Sequence, residues 1–233
     1  MKQYLSRIFA GDYDGFLAEL KAAMAREQRR FVVTANAEIL MKAEQDETIH
    51  EMLLSGETDI VPDGISVVRA MNKVGHTTSG RITGVDLLTD LLKALGERRG
   101  SAYFYGAKEE VVRDLTRQQQ EKYPEACYRC HNGYDGDSET VFREIAAMQP
   151  DLVAVGLGVP RQELLLWQHR GDFQKGILMG VGGSFDVLSG HVSRGPEIFI
   201  KTNTEWLFRI LREPVRMKRF YENNIKFLWK LKD

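Results

Sequence analysis

The sequence predicts an α/β fold: an open, mostly parallel sheet with helices on both faces, followed by a C-terminal helical appendage. Three observations carry this. Short apolar runs and helix-period segments alternate along the 233 residues. The apolar runs are continuous rather than alternating, as expected of strands buried on both faces. Two of them end in glycine-rich turns, Gly156-Leu157-Gly158-Val159-Pro160-Arg161-Gln162-Glu163 and Gly180-Val181-Gly182-Gly183-Ser184-Phe185-Asp186.

The elements follow in order. Phe31 to Asn36 reads as a buried strand entering a polar turn, and Ala37 to Lys42 as a helix. Thr58 to Val61 is a second strand, closed by Pro62-Asp63-Gly64. Ile65 to Met71 is expected to be helical. Val85 to Leu95 is a clear amphipathic helix, with Leu87, Leu88, Leu91, Leu92 and Leu95 on one face. Further strands are expected at Ala102–Tyr105, Ala126–His131, Leu152–Val155 and Ile177–Gly180. Helices at Glu109–Lys122, Ser138–Met148 and Gln162–Gln168 separate them. The length suits a core over residues 1–193 and an appendage over 194–233.

Composition removes several function classes. The net charge is −1, so the surface does not advertise nucleic acid. The N-terminal Met-Lys-Gln-Tyr-Leu-Ser-Arg start lacks an apolar signal core, and no apolar run approaches the roughly 18 residues of a membrane span. The expected location is therefore cytoplasmic, with membrane contact only peripheral. Cys127-Tyr128-Arg129-Cys130-His131 matches the pattern of covalent haem attachment. Residues three apart on a strand point to opposite faces, however, and no second cysteine pair completes a zinc site. Reduced thiols are the better reading. A dinucleotide-dependent oxidoreductase would need a G-x-G-x-x-G after the first strand, which Phe31 to Asn36 does not supply.

Ligands on such sheets bind beyond the carboxyl ends of the strands. The polar residues expected there include Thr34, Asn36, Asp63, Gln162, Glu163, Ser184 and Asp186. Each is also a residue type that caps helices or forms turns. Asp63, held between Pro62 and Gly64, is the strongest functional candidate, because a tight turn can project its carboxylate into a crevice. Two D-x-D pairs, Asp12/Asp14 and Asp135/Asp137, resemble the metal-holding motif of many sugar transferases. Neither follows a convincing buried strand, so no metal is expected.

Seven blocks in order give the chain a specific resemblance. They are Thr34–Glu38, Pro62–Val68, Arg81–Asp86, Gly156–Glu163, Gly180–Asp186, Glu205–Arg209 and Glu213–Arg216. Through them the chain resembles the WecG/TagA/CpsF family, glycosyltransferase family 26, over nearly its whole length, with most affinity to the teichoic-acid branch. His131-Asn132-Gly133-Tyr134-Asp135 departs from the His-Gly-Tyr-Phe-like segment usual there.

The resemblance implies a Rossmann-like core and inverting transfer of a sugar from a UDP-sugar to a polyprenyl-diphosphate-linked acceptor. It implies no cofactor and no metal. N-acetylmannosamine is the first choice of sugar. N-acetylmannosaminuronic acid, glucose or a non-catalytic UDP-sugar-binding role are the alternatives. It also implies Asp63 as the base, with Thr34 and Asn36 lining the same pocket. Arg81, Gln162 and the turn of Gly180, Gly182, Gly183 and Ser184 are expected to bind donor. One or more of Arg212, Arg216 and Arg219 is expected to reach the diphosphate.

From Arg194 to Asp233 there are ten Lys/Arg and five Asp/Glu. A helix over 215–232 would place Met217, Phe220, Tyr221, Leu228 and Leu231 on one side and Arg219, Lys226 and Lys230 on the other. This predicts seating on an anionic membrane surface at the inner face of the cell membrane, with docking on the core or a sister subunit as the alternative.

Overall fold

A computed structural model describes residues 1–195 and 226–230. Its centre is a six-stranded sheet, entirely parallel. The strands are β1 (Arg29–Ala35), β2 (Thr58–Pro62), β3 (Ser101–Gly106), β4 (Cys127–His131), β5 (Leu152–Gly156) and β6 (Gly176–Gly180), in the spatial order β2-β1-β6-β5-β3-β4. The α/β expectation therefore holds.

Helices cover both faces. They run α1 (Lys2–Leu5), α2 (Tyr13–Ala25), α3 (Ala37–Ala43), α4 (Glu47–Leu54), α5 (Ile65–Lys73), α6 (Gly84–Glu97), α7 (Glu109–Lys122), α8 (Ser138–Met148), α9 (Arg161–His169) and α10 (Ser184–Leu188). Two apolar layers result. One combines Phe31, Val33, Tyr105, Val153 and Leu178 of the sheet with α1, α3, α4, α5, α8 and α9. The other combines Val32, Phe104, Ala154 and Met179 with α2, α6, α7 and α10. Alternate residues of each strand enter opposite layers, as the period of a strand requires.

The layering positions the site. The helices that follow β1 and β5 lie on one face, and the helix that follows β6, between them, lies on the other. Chains that diverge from adjacent strand ends open a crevice at the carboxyl edge of the sheet. The ends of β2, β1, β6 and β5 border it.

Several sequence readings resolve into local structure. Asp12 is the N-cap of α2, its carboxylate accepting from the Gly15 N–H at 2.7 Å. Asp137 caps α8 through the Thr140 N–H. Asp135 accepts from the Asn132 amide at 3.0 Å. On β4, Tyr128 is buried while its neighbours Cys127 and Arg129 are exposed, so Cys127 and Cys130 sit on opposite sides of the strand.

Most of the appendage, including Arg212, Arg216, Arg219 and the apolar side predicted for 215–232, lies outside the described residues. Lys226–Trp229 is helical. Phe227 is fully buried in the α1/α3/α4 layer. Lys230, expected on a free basic side, instead pairs with Glu44, which also binds the terminal amine of Met1 at 2.9 Å. At this turn the appendage docks on the core, and Trp229 is left 67% exposed.

Candidate active site

A cleft of about 360 Å³ opens at the carboxyl edge of the sheet, in the range of small-ligand sites. Thr34, Asn36, Asp63, Arg81, Gln162, Gly182, Gly183 and Ser184 all line it. Of the residues expected there within the described chain, Gly180, Glu163 and Asp186 do not.

Local structure puts each side chain there. The N–H groups of Asp63 and Gly64 both donate to the Ala35 carbonyl, at 3.0 and 3.4 Å. This ties the turn after β2 to the end of β1. A Cβ on Gly64 would lie 3.6 Å from the Asn36 Cα, so the two turns pack side by side. Asn36 caps α3, its Oδ1 accepting from the Ile39 N–H at 3.1 Å. Asn36 itself lines the cleft. Thr34, buried at the end of β1, reaches the Gly180 carbonyl at 3.5 Å. Arg81 comes from the segment before α6, which hangs on β2 through an Ile82 N–H to Pro62 carbonyl bond of 2.8 Å.

Two lining residues are not among the predicted binding residues: Arg194, and Thr83, which lies within the Arg81–Asp86 block. Arg194 lines the cleft and grips Asp86 with both terminal nitrogens, at 2.5 and 3.0 Å. Asp86 is fixed in turn by the Thr83 hydroxyl at 2.6 Å, while Thr83 caps α6 through the Asp86 N–H. Partial burial opposes ionisation of Asp86. The hydrogen bonds from Arg194 and Thr83 outweigh it and hold the carboxyl below its usual range. Thr83 itself also lines the cleft.

The glycine turns work differently from a simple phosphate cradle. Gln162 is buried, and its carbonyl accepts from the N–H groups of both Gly158 (3.1 Å) and Gly182 (3.0 Å). Its amide nitrogen donates to Glu163 at 2.7 Å. The Gln162 amide, expected to bind donor, is largely occupied in joining two turns. The Val181 and Ser184 N–H groups are also committed, to Val155 and Val181 carbonyls. Gly182 has a φ of +50°, the left-handed region that glycine enters without strain. Gly180 is required for another reason. A Cβ there would meet the Gln162 amide nitrogen at 2.5 Å and a Glu163 oxygen at 2.9 Å.

Glu163 is 1% exposed, and its Oε2 has no hydrogen-bond partner. Burial raises its pKa from 4.5 to about 7. The neutral carboxyl is thus favoured in the folded state. Its stabilisation is complete below pH 4.5 and is lost as pH rises to about 7. Glu163→Gln cannot ionise. Its stability relative to the wild type should climb by roughly 3 kcal/mol between those pH values and then level off. Denaturant melts across pH 4 to 8 would measure this, and parallel curves would contradict it.

A carboxylate and two arginines around one cleft suit the binding and displacement of an anionic group. Residues 3–233 match the model of the glycosyl transferase WecG/TagA/CpsF family. The chain belongs to this family. An N-acetylglucosaminyldiphosphoundecaprenol N-acetyl-beta-D-mannosaminyltransferase of Bacillus spizizenii is 38% identical over 81% of this chain and 74% of its own. The enzyme of the same name from Staphylococcus aureus is 36% identical over 86% of this chain and 79% of its own.

Proposed function

We propose that the chain transfers N-acetylmannosamine from a UDP-sugar to an undecaprenyl-diphosphate-linked N-acetylglucosamine, with inversion and without a metal. The observation that carries this reading is the convergence of Asp63, Arg81 and Arg194 on one cleft. The acceptor hydroxyl attacks the sugar C1 while Asp63 takes its proton. The bond from C1 to the diphosphate breaks, and UDP leaves with the electron pair. Arg81 and Arg194 balance the charge that develops on the diphosphate. Thr34 and Ser184, whose hydroxyls donate to the Gly180 and Val181 carbonyls, accept from sugar hydroxyls, and Asn36 contributes its amide. The acceptor lipid lies in the membrane, which motivates peripheral attachment. Exposed Trp229 and exposed Lys226 support this, and no helix among the described residues is long and apolar enough to cross a bilayer.

The deciding experiment is a donor screen. Purified protein is given UDP-N-acetylmannosamine, its uronic acid or UDP-glucose, with a lipid-diphosphate-N-acetylglucosamine analogue, and UDP release is followed. Release dependent on both substrates supports the reading. UDP binding without turnover on any donor would make the protein a sensor instead. Turnover should also survive EDTA, since Asp12 and Asp137 are spent on helix caps and Asp135 on Asn132. Loss on chelation with recovery on adding Mg²⁺ or Mn²⁺ would overturn the metal-free mechanism.

A further inference from the structure

We propose that Glu163 is a positioning residue. By holding the Gln162 amide, it locks the turn after β5 and the turn after β6 into the shape of the cleft floor. The inference rests on the reading of this cleft as the transfer site.

The geometry is a chain of three links. Glu163 Oε1 accepts from Gln162 Nε2 at 2.7 Å. That bond fixes which way the amide points, so its oxygen faces the other side. The oxygen then accepts from Gly158 N–H and Gly182 N–H at 3.1 and 3.0 Å. Gly158 and Gly182 belong to different strand ends, and Gln162, Gly182 and Gly183 line the cleft. A planar amide can bracket both turns only while its nitrogen has an acceptor behind it.

Two further features set Glu163 apart from an ordinary buried residue. Its Oε2 is buried without a partner, a costly arrangement that a hydrophobic side chain of similar size would avoid. Gly180 is kept clear for the same pair, since a Cβ would strike both side chains within 3 Å. The carboxyl is retained where packing alone would favour an apolar residue, and what it does there is hold the amide. Glu38 of α3 is the charged neighbour that acts on it.

The test reads the two bracketed amides directly. In Glu163→Leu, amide exchange at Gly158 and Gly182 should accelerate about tenfold or more, while the Val181 N–H, bonded to Val155, keeps its rate. The kcat for transfer should fall about tenfold or more, since small misplacements of a binding surface are expensive in rate. Glu163→Gln retains an acceptor oxygen and should restore both readouts to within about threefold. Gly180→Ala, which displaces the pair from the opposite side, should reproduce the leucine phenotype and serves if Glu163→Leu does not fold. Unchanged exchange at both glycines in a folded variant would overturn the proposal. So would faster exchange with unaltered kcat. Absence of transfer in the wild type, with the exchange pattern intact, would instead remove the reading of the cleft and leave the brace standing.

Discussion

Asp63→Asn should reduce the rate of sugar transfer by about 10² to 10⁴-fold, the usual worth of a positioned base. The substitution preserves the shape of the side chain and leaves the backbone bonds of the turn to Ala35 in place. What it removes is affinity for a proton. The acceptor hydroxyl would then attack without losing its proton in the same step, so the loss should appear in kcat. UDP affinity should change by no more than a few-fold, because Arg81 and Arg194 remain. Single-turnover transfer, alongside calorimetry with UDP, separates the two quantities. A variant with near-normal turnover would remove Asp63 from the chemistry and direct attention to Asp186 or an acceptor-borne group. A variant with lost UDP binding would mean that Asp63 shapes the donor site instead.

Asp63 was legible in the sequence because its position is dictated locally. A proline, an acid and a glycine after an apolar run make a turn at a strand end, and strand ends are where parallel sheets bind ligands. The inner strands β1, β3, β5 and β6 were legible for the same reason, since a strand buried on both faces holds a short unbroken apolar run, whereas β4 at the edge has Cys127 and Arg129 exposed. Helix α2 was less so. Asp12 caps it and Phe16, Leu17, Leu20, Ala23 and Met24 form its buried face, yet a helix before the first strand is not required by the alternating pattern. Helix α4 is only eight residues long and offers three buried side chains, too little periodicity to stand out. Gln162 could be placed at the cleft but its role could not. Its partners Gly158 and Gly182 lie 4 and 20 residues away, and only the fold brings both within reach of one amide. Gly180 shows the limit well: a glycine beside a phosphate-like turn was kept for close packing by two side chains.

Arg194 belongs to the same illegible class, and it carries the second large effect. It sits at the start of the segment taken as an appendage, 108 residues from the carboxylate it grips. Arg194→Gln should weaken UDP binding and raise the donor KM by about 10 to 100-fold, the range expected when a hydrogen bond to a charged group is lost. Uridine, which lacks the diphosphate, should bind both proteins alike. Asp86→Asn should act in the same direction but more weakly, since it loosens Arg194 without removing it. Its amide can accept from one guanidinium nitrogen where the carboxylate accepts from two. The two changes share one route to the ligand, so adding Asp86→Asn to Arg194→Gln should cost little more than Arg194→Gln alone. Additive losses would mean that Asp86 acts on the donor independently, through the Thr83 cap and the start of α6. Equal affinity of wild type and Arg194→Gln for UDP would show that the guanidinium only fastens residue 194 to α6, and that Arg81 and the arginines beyond it bear the leaving group's charge.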